Sequence, residues 1–160
     1  MKIGIMSDSH GSQRAIDDAV QLAGKVGLWL HAGDCREDAE YLQLISQTKV
    51  VYVNGNCDWF TDENRDEAII EAGGHRIFLT HGHLYDVRDS TELLQATAAA
   101  NGADIAVYGH THVADITPGE VYVLNPGSVS RPRDEVRPSF MLAELAADAA
   151  PRVRILRLEK

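Results

Sequence analysis

The chain has 160 residues, of which 44% are hydrophobic and 24% charged, which fits one ordinary globular domain and excludes disordered, collagen-like and low-complexity classes. Lys and Arg total 15 against 24 Asp and Glu, so the formal net charge is 15 − 24 = −9. That balance disfavours bulk binding to nucleic acid or an acidic membrane, while leaving room for a local cationic site, above all one made by metal ions.

Lys2 to Ser7 reads as a strand, and it reaches Ser7 and Asp8 before an apolar run of signal-peptide length accumulates. Ser12 then caps a helix in which Ile16, Ala19, Val20 and Ala23 recur at helical spacing until Gly24 stops it. Leu28 to His31 is a second strand, Asp38 to Ser46 a second helix, and Lys49 to Val53 a third strand rich in β-branched residues. This βαβαβ order predicts a parallel sheet. Further on, Glu67 to Ala72 and His75 to Thr80 flank Gly73-Gly74, a strong hairpin signal. Ser90 to Ala100 reads as a helix and Ile105 to Gly109 as a strand. Val113 to Thr117 with Val121 to Leu124 reads as a second hairpin, and Phe140 to Leu145 with Val153 to Leu158 as a last pair. Two sheets packed together with helices outside accommodate both halves. No internal repeat and no Gly/Ser/Pro-rich linker divides the chain, so residues 1–160 are expected to form a single domain. No apolar run is long enough to cross a bilayer, and two cysteines, Cys35 and Cys57, make no disulfide framework; both features predict a cytoplasmic protein with reduced thiols.

The residues just past each predicted strand carry the chemistry. Asp8 and His10 come after the first strand, Asp34 after the second, Asn56 and Asp58 after the third, His81 and His83 after the His75 strand, and His110 and His112 after the Ile105 strand. In open α/β sheets the carboxyl ends of the strands share one edge, so residues from five segments should meet there. Two carboxylates, an amide and four imidazoles (Asp8, Asp34, Asn56, His10, His81, His110 and His112) form an O/N donor set without thiolate, suited to Mn, Fe, Co, Ni or Zn. Seven donors exceed one tetrahedral ion and would serve two if a carboxylate bridged them, the arrangement that clamps attacking and leaving oxygens in a phosphoryl displacement.

The set Asp8-x-His10, Gly33-Asp34, Gly55-Asn56-Cys57-Asp58, His81-Gly82-His83 and Gly109-His110-x-His112 resembles the calcineurin-like metallophosphoesterase superfamily. The small size and the Asn125-Pro126-Gly127-Ser128 segment resemble its compact YfcE-like phosphodiesterase branch. The resemblance spans Asp8 to about Ser128. It implies a four-layer αββα sandwich of two mixed β-sheets flanked by helices, and a dinuclear metal-dependent phosphodiesterase. It further implies that Asp8, His10, Asp34 and His112 hold one divalent ion and Asp34, Asn56, His81 and His110 the other, with Asp34 as the bridge and Mn2+ expected ahead of Ni2+, Co2+, Fe2+ or Zn2+. A hydroxide between the ions would then attack phosphorus in line, with no covalent enzyme intermediate. Asn56, Asp58 and His110 are the candidate catalytic residues. Many members carry a histidine where this chain has Cys57, so help to a poor leaving group is in question, and Asp58 is left to orient a ligand or water.

Cys57, His83 and Arg131 are candidate substrate contacts, Arg131 with Arg133 as a phosphate clamp. Cys35 and Cys57 adjoin predicted ligands and read either as small semi-buried residues or as oxidant-sensitive thiols. Trp59, Phe60 and Tyr85 lie in loops where they would stack on an aromatic group or make a dimer contact. The expected partner is a small phosphodiester, with homo-oligomerisation left open. Two alternatives accompany this reading: a non-catalytic or weakly active metal-binding scaffold for protein–protein interaction, and a phosphomonoesterase, which would require further cationic groups.

Overall fold

The computed structural model describes residues 1–59 and 64–159, so Phe60 lies outside the described residues. The elements run β1 (Lys2–Met6), α1 (Gln13–Ala23), β2 (Leu28–His31), α2 (Arg36–Ser46), β3 (Val50–Tyr52), β4 (Glu67–Ala72), β5 (His75–Thr80), α3 (Glu92–Ala100), β6 (Ile105–Val107), β7 (Ala114–Thr117), β8 (Tyr122–Pro126), β9 (Ser139–Glu144) and β10 (Arg152–Arg157). One sheet has the order β10-β9-β1-β2-β3, the other β4-β5-β6-β8-β7. Strands β1, β2 and β3 are parallel, as are β5, β6 and β8, while β9, β10, β4 and β7 pair antiparallel. Both sheets are therefore mixed.

Strand alternation explains the layering. Successive side chains point to opposite faces, and in the central strands both faces are apolar. Ile3, Ile5, Leu28 and Leu30 from one sheet meet Ile77, Leu79, Ile105 and Val107 from the other in a shared inner core. The intervening Trp29, Phe140 and Leu142 face outward onto Ile16 and Ala19 of α1 and Ala39 and Leu42 of α2. On the far side, Phe78, Ala106 and Val123 pack on Leu94 and Ala98 of α3. The order helices, sheet, sheet, helix is the four-layer αββα sandwich. Among the described residues, no helix is long and apolar enough to cross a membrane.

Local signals explain the boundaries. Ser12 Oγ accepts the Ala15 N–H at the start of α1, and Gly24 ends it with φ 63°. Gly73 and Gly74 both have positive φ, the conformation a tight hairpin between β4 and β5 requires. Helix α2 starts two residues earlier than the sequence suggests. Its N-cap, Cys35, makes no side-chain cap; instead Asp58, from the loop after β3, accepts the N–H groups of Cys35 and Arg36 at 3.1 and 3.0 Å. Strand β6 stops at Val107 rather than Gly109, although Tyr108 and Gly109 still donate their N–H groups to the Leu124 and His81 carbonyls at 3.0 and 2.9 Å.

Within β1, Gly4 lies against the six-membered ring of Trp29, and a Cβ there would collide with the ring. Gly4→Val should therefore destabilise the fold by about 1–3 kcal/mol, read as a lowered thermal midpoint at roughly 2–4 °C per kcal/mol for a chain of this size. An unchanged midpoint would show that Trp29 does not pack across β1.

Candidate metal centre

The strand ends converge as their order requires. Asp8, fully buried after β1, anchors Oδ2 on the His110 N–H at 3.0 Å. Its Oδ1 accepts no well-aligned hydrogen bond, yet faces three imidazole Nε2 atoms: His112 at 3.2 Å and His10 and His81 at 3.9 Å each. Asp34, buried after β2, anchors Oδ1 on the Cys57 N–H at 3.0 Å. The same oxygen lies 3.5 Å from His81 Nε2, and Oδ2 lies 3.7 Å from His10 Nε2. Donor atoms of Asp8, His10, Asp34 and His112 all lie within 4.8 Å of one another. Beside them, Asn56 Oδ1 is 3.0 Å from His81 Nε2 and 3.0 Å from His110 Nδ1. All seven predicted donors are thus brought to one edge.

Two close approaches depend on glycine. A Cβ at Gly55 would strike the Asp34 carboxylate, and one at Gly109 would strike Ser7 Oγ and lie 2.7 Å from Asp8 Oδ2. Five of the seven donors, Asp8, His10, Asp34, His110 and His112, have φ between 47° and 67°. Asp and His tolerate this left-handed region better than most residues.

The imidazoles are set up as ligands. His81 Nδ1 donates to the Ala32 carbonyl and His112 Nδ1 to the Arg131 carbonyl, each at 2.7 Å. Each ring then presents a bare Nε2 lone pair to the carboxylates, the usual way a protein orients a metal-binding histidine. His10 Nε2 and His112 Nε2 are 3.3 Å apart. Lone pairs and carboxylate oxygens this close repel unless a proton or cation lies between them, so the residues present fit a bound cation. Without one, a proton serves: the contact with Asp8 raises His112 above the ordinary histidine value. Burial alone would raise Asp8, but the neighbouring His112 and His81 outweigh it and hold the carboxyl low. Burial lowers His10 against the pull of Asp34 and Asp8. Burial, then His81 and Arg88, push His110 down to about 4.

Asn125 and Ser128 frame the loops. Asn125 Nδ2 donates to the Gly109 carbonyl at 3.1 Å and to Thr111 Oγ1 at 2.9 Å, and Ser128 Oγ donates to the Asp8 carbonyl at 2.7 Å. Ser130 Oγ adds bonds to the carbonyls of Asp8 and Ser9.

Other expected contacts fall out differently. Asp58 spends both oxygens on backbone, Oδ1 on Cys35 and Arg36 and Oδ2 on the Gly55 N–H at 2.7 Å, so it positions the loops bearing Asp34 and Asn56 and is not aimed at a water or ligand. Tyr85 is 7% exposed, packed edge-on against Phe78 and bonded to Glu67, so it is a core residue and no stacking surface. Trp59 is 81% exposed. His83 lies beside His81, ring centres 5.4 Å apart, with a buried Nδ1 that has no hydrogen-bond partner among the described residues. Burial and then Asp38 push the Cys35 thiol up to about 11, and burial and then Asp34 raise Cys57. Neither has the depressed value of a reactive thiolate.

An open cleft of about 300 Å3 adjoins the donors; Cys57, Arg88, Arg131, Pro132 and Arg133 complete its lining. A larger groove of about 640 Å3 beside α1, with Arg14, Asp18 and Arg157 on its walls, lies away from the donor set. Arg88 is a cleft residue that strand-end reasoning missed: it sits well down the loop after His83, and its one sequence signal is a cation in a loop already adjoining a ligand. Its Nε donates to His110 Nε2 at 3.1 Å.

A buried O/N donor cluster at the carboxyl edge of a two-sheet sandwich is a candidate metal centre. Residues 1–148 match the calcineurin-like phosphoesterase superfamily domain, and the chain belongs to that family. It is 33% identical over 153 residues to the probable metallophosphoesterase YsnB of Bacillus subtilis, covering 94% of this chain and 88% of that one. It is 34% identical over 161 residues to the phosphodiesterase YfcE of Escherichia coli K12, covering 83% and 82%. A crystal structure of a predicted phosphoesterase from Streptococcus pneumoniae superposes with a TM-score of 0.82 at 32% identity, covering 98% of this chain and 88% of that one.

A cation held by His112 would have to displace its proton, so Mn2+ binding there should release protons and weaken as pH falls from 8 to 6, whereas His110, already neutral across that range, should add nothing. Calorimetry in buffers of different ionisation enthalpy reads this directly. An affinity flat over the range would remove His112 from the ligand set.

Proposed function

We propose that the protein is a phosphodiesterase whose centre holds two divalent ions. The observation that carries this reading is Asp34, with one oxygen toward His10 and the other toward His81. One carboxylate thus stands between a first group, Asp8, His10 and His112, and a second, Asn56, His81 and His110. When bound, two such ions supply a hydroxide nucleophile at neutral pH and neutralise the phosphoryl oxygens. Mn2+ is the first ion to test, ahead of Ni2+, Co2+, Fe2+ and Zn2+, all of which a carboxylate, amide and imidazole set without thiolate accommodates.

The chain's own residues do the rest. Backbone N–H groups of His110 and Cys57 hold one oxygen of each carboxylate; Asp8 Oδ1 and Asp34 Oδ2 face the first group, and Asp34 Oδ1, held by Cys57, also faces His81 of the second. Asn56 offers its carbonyl oxygen between His81 and His110. The cleft arginines face the incoming phosphate, which guanidinium binds in a bidentate fork. Related proteins named as phosphodiesterases support a small phosphodiester as substrate. The free thiols Cys35 and Cys57 suit a reducing, cytoplasmic setting.

Chelator-stripped protein should not cleave bis-p-nitrophenyl phosphate, and adding Mn2+, Ni2+, Co2+ or Zn2+ singly should restore cleavage at two ions per chain. Two bound ions without turnover of that ester or of p-nitrophenyl phosphate would sink the enzyme reading and favour a metal-binding scaffold. Asp34→Asn should lose ions from both positions and lower the rate by more than the roughly 10–100-fold typical of a lost partner behind a metal ligand, with the fold retained. A variant with near-wild-type rate and metal content would refute the bridge.

A further inference from the structure

Three arginines reach the cleft from two loops, Arg88 from the segment after β5 and Arg131 and Arg133 from the segment after β8. Both loops are tied to the donor histidines: Arg88 Nε donates to His110 Nε2 at 3.1 Å, the Arg131 carbonyl accepts from His112 Nδ1 at 2.7 Å, and the Arg133 N–H donates to the His112 carbonyl at 3.0 Å. Arg36, Arg76 and Arg157 pair with Glu40, Glu71 and Asp134. Among the described residues, Arg88, Arg131 and Arg133 have no carboxylate partner. Three uncompensated cations beside a metal centre exceed what the single charge of a simple phosphodiester requires.

Among the described residues, the same cleft is short of proton donors. Its lining outside the candidate ligands is Cys57, Pro132 and the three arginines. A thiol is a weak hydrogen-bond donor and guanidinium does not give up its proton in proteins. An alkoxide leaving group would take no proton from these described residues. A phosphate leaving group needs no proton, since its second ionisation lies near pH 6 and the departing dianion is stable at neutral pH, and arginine stabilises that anion.

We propose that the cleft takes a diphosphate, a P–O–P anhydride joining two esterified phosphates, and that Arg88, Arg131 and Arg133 hold the phosphate that departs. Water supplies the new oxygen at one phosphorus, and the bond from that phosphorus to the bridging oxygen breaks. The bridging oxygen keeps the electron pair and becomes a terminal oxygen of the second phosphate. The protons of water pass to solvent or to the two product monoesters, and nothing is oxidised or reduced. The cleft of about 300 Å3 lies at the small end of ligand sites, enough for the diphosphate unit with its ester groups extending outward. The inference rests on the phosphodiesterase reading and names its substrate class.

The test compares Mn2+-loaded wild type with the Arg88→Gln/Arg131→Gln/Arg133→Gln variant on diadenosine diphosphate, bis-p-nitrophenyl phosphate and p-nitrophenyl phosphate. Wild type should convert diadenosine diphosphate to adenosine monophosphate, and the variant should lose about 10–100-fold more kcat/KM on it than on bis-p-nitrophenyl phosphate, the loss expected when charged hydrogen bonds to one substrate vanish. In calorimetry, the α,β-methylene analogue of adenosine diphosphate should bind wild type at least about tenfold tighter than adenosine monophosphate, and that preference should vanish in the variant. Equal losses on both substrates, or cleavage of bis-p-nitrophenyl phosphate without cleavage of the diphosphate, would overturn the inference and leave the phosphodiesterase reading standing. Faster turnover of p-nitrophenyl phosphate than of either diester would overturn it in favour of a phosphomonoesterase. No cleavage of any substrate would remove the phosphodiesterase reading and this inference with it. If the triple variant does not fold, Arg88→Gln alone repeats the comparison.

Discussion

Asp8 and Asp34 are buried side by side, each within 4 Å of the same imidazole nitrogen, His10 Nε2. Two carboxylates so placed repel each other, and water is too distant to screen them. The fold holds them there by fixing one oxygen of each on a backbone N–H from a different strand's loop, His110 for Asp8 and Cys57 for Asp34. The remaining oxygens are turned into a ring of imidazoles, two of which, His81 and His112, have their other nitrogen tied to a backbone carbonyl. Nothing in this arrangement relieves itself except by taking up positive charge. Protonation of His112 is a partial answer, and a divalent cation is a fuller one because it serves both carboxylates and the facing lone pairs together.

That demand explains the backbone around it. Asp8, His10, Asp34, His110 and His112 occupy the left-handed region, at a cost of order 1–3 kcal/mol for a strained residue and toward the low end for Asp and His. The strain persists because the strands beneath are fixed by three apolar clusters and the loops above by Asn125, Ser128, Ser130 and Asp58. Asp58 shows how economical the arrangement is. One carboxylate completes the N-terminus of α2 and grips the turn carrying Asn56, so the Asp34 and Asn56 loops move as one piece.

The strands were legible in the sequence because each central strand is apolar on both faces and stops abruptly at a polar residue, and the ligands were legible because they are those residues. The hidden features depended on distant partners. The start of α2 at Arg36 comes from Asp58, twenty-two residues on, which no local capping rule detects. Tyr85 resembles an exposed loop aromatic until its loop folds back on Phe78 and Glu67. Arg88 looks like any surface arginine until the loop brings its guanidinium to His110. The placing of β9 beside β1, and of β8 beside β6, likewise comes from long-range pairing that periodicity does not encode.

Metal donors and cleft cations therefore sit on different footings. Most donors are buried and coupled to the core, so a change at Asp8, Asp34 or His81 disturbs packing and backbone as well as chemistry. Arg88, Arg131, Arg133 and Trp59 are exposed on loops, where substitutions usually alter stability little. A centre of this kind keeps one reaction constant while the loops above it change which phosphate compounds are held long enough to react.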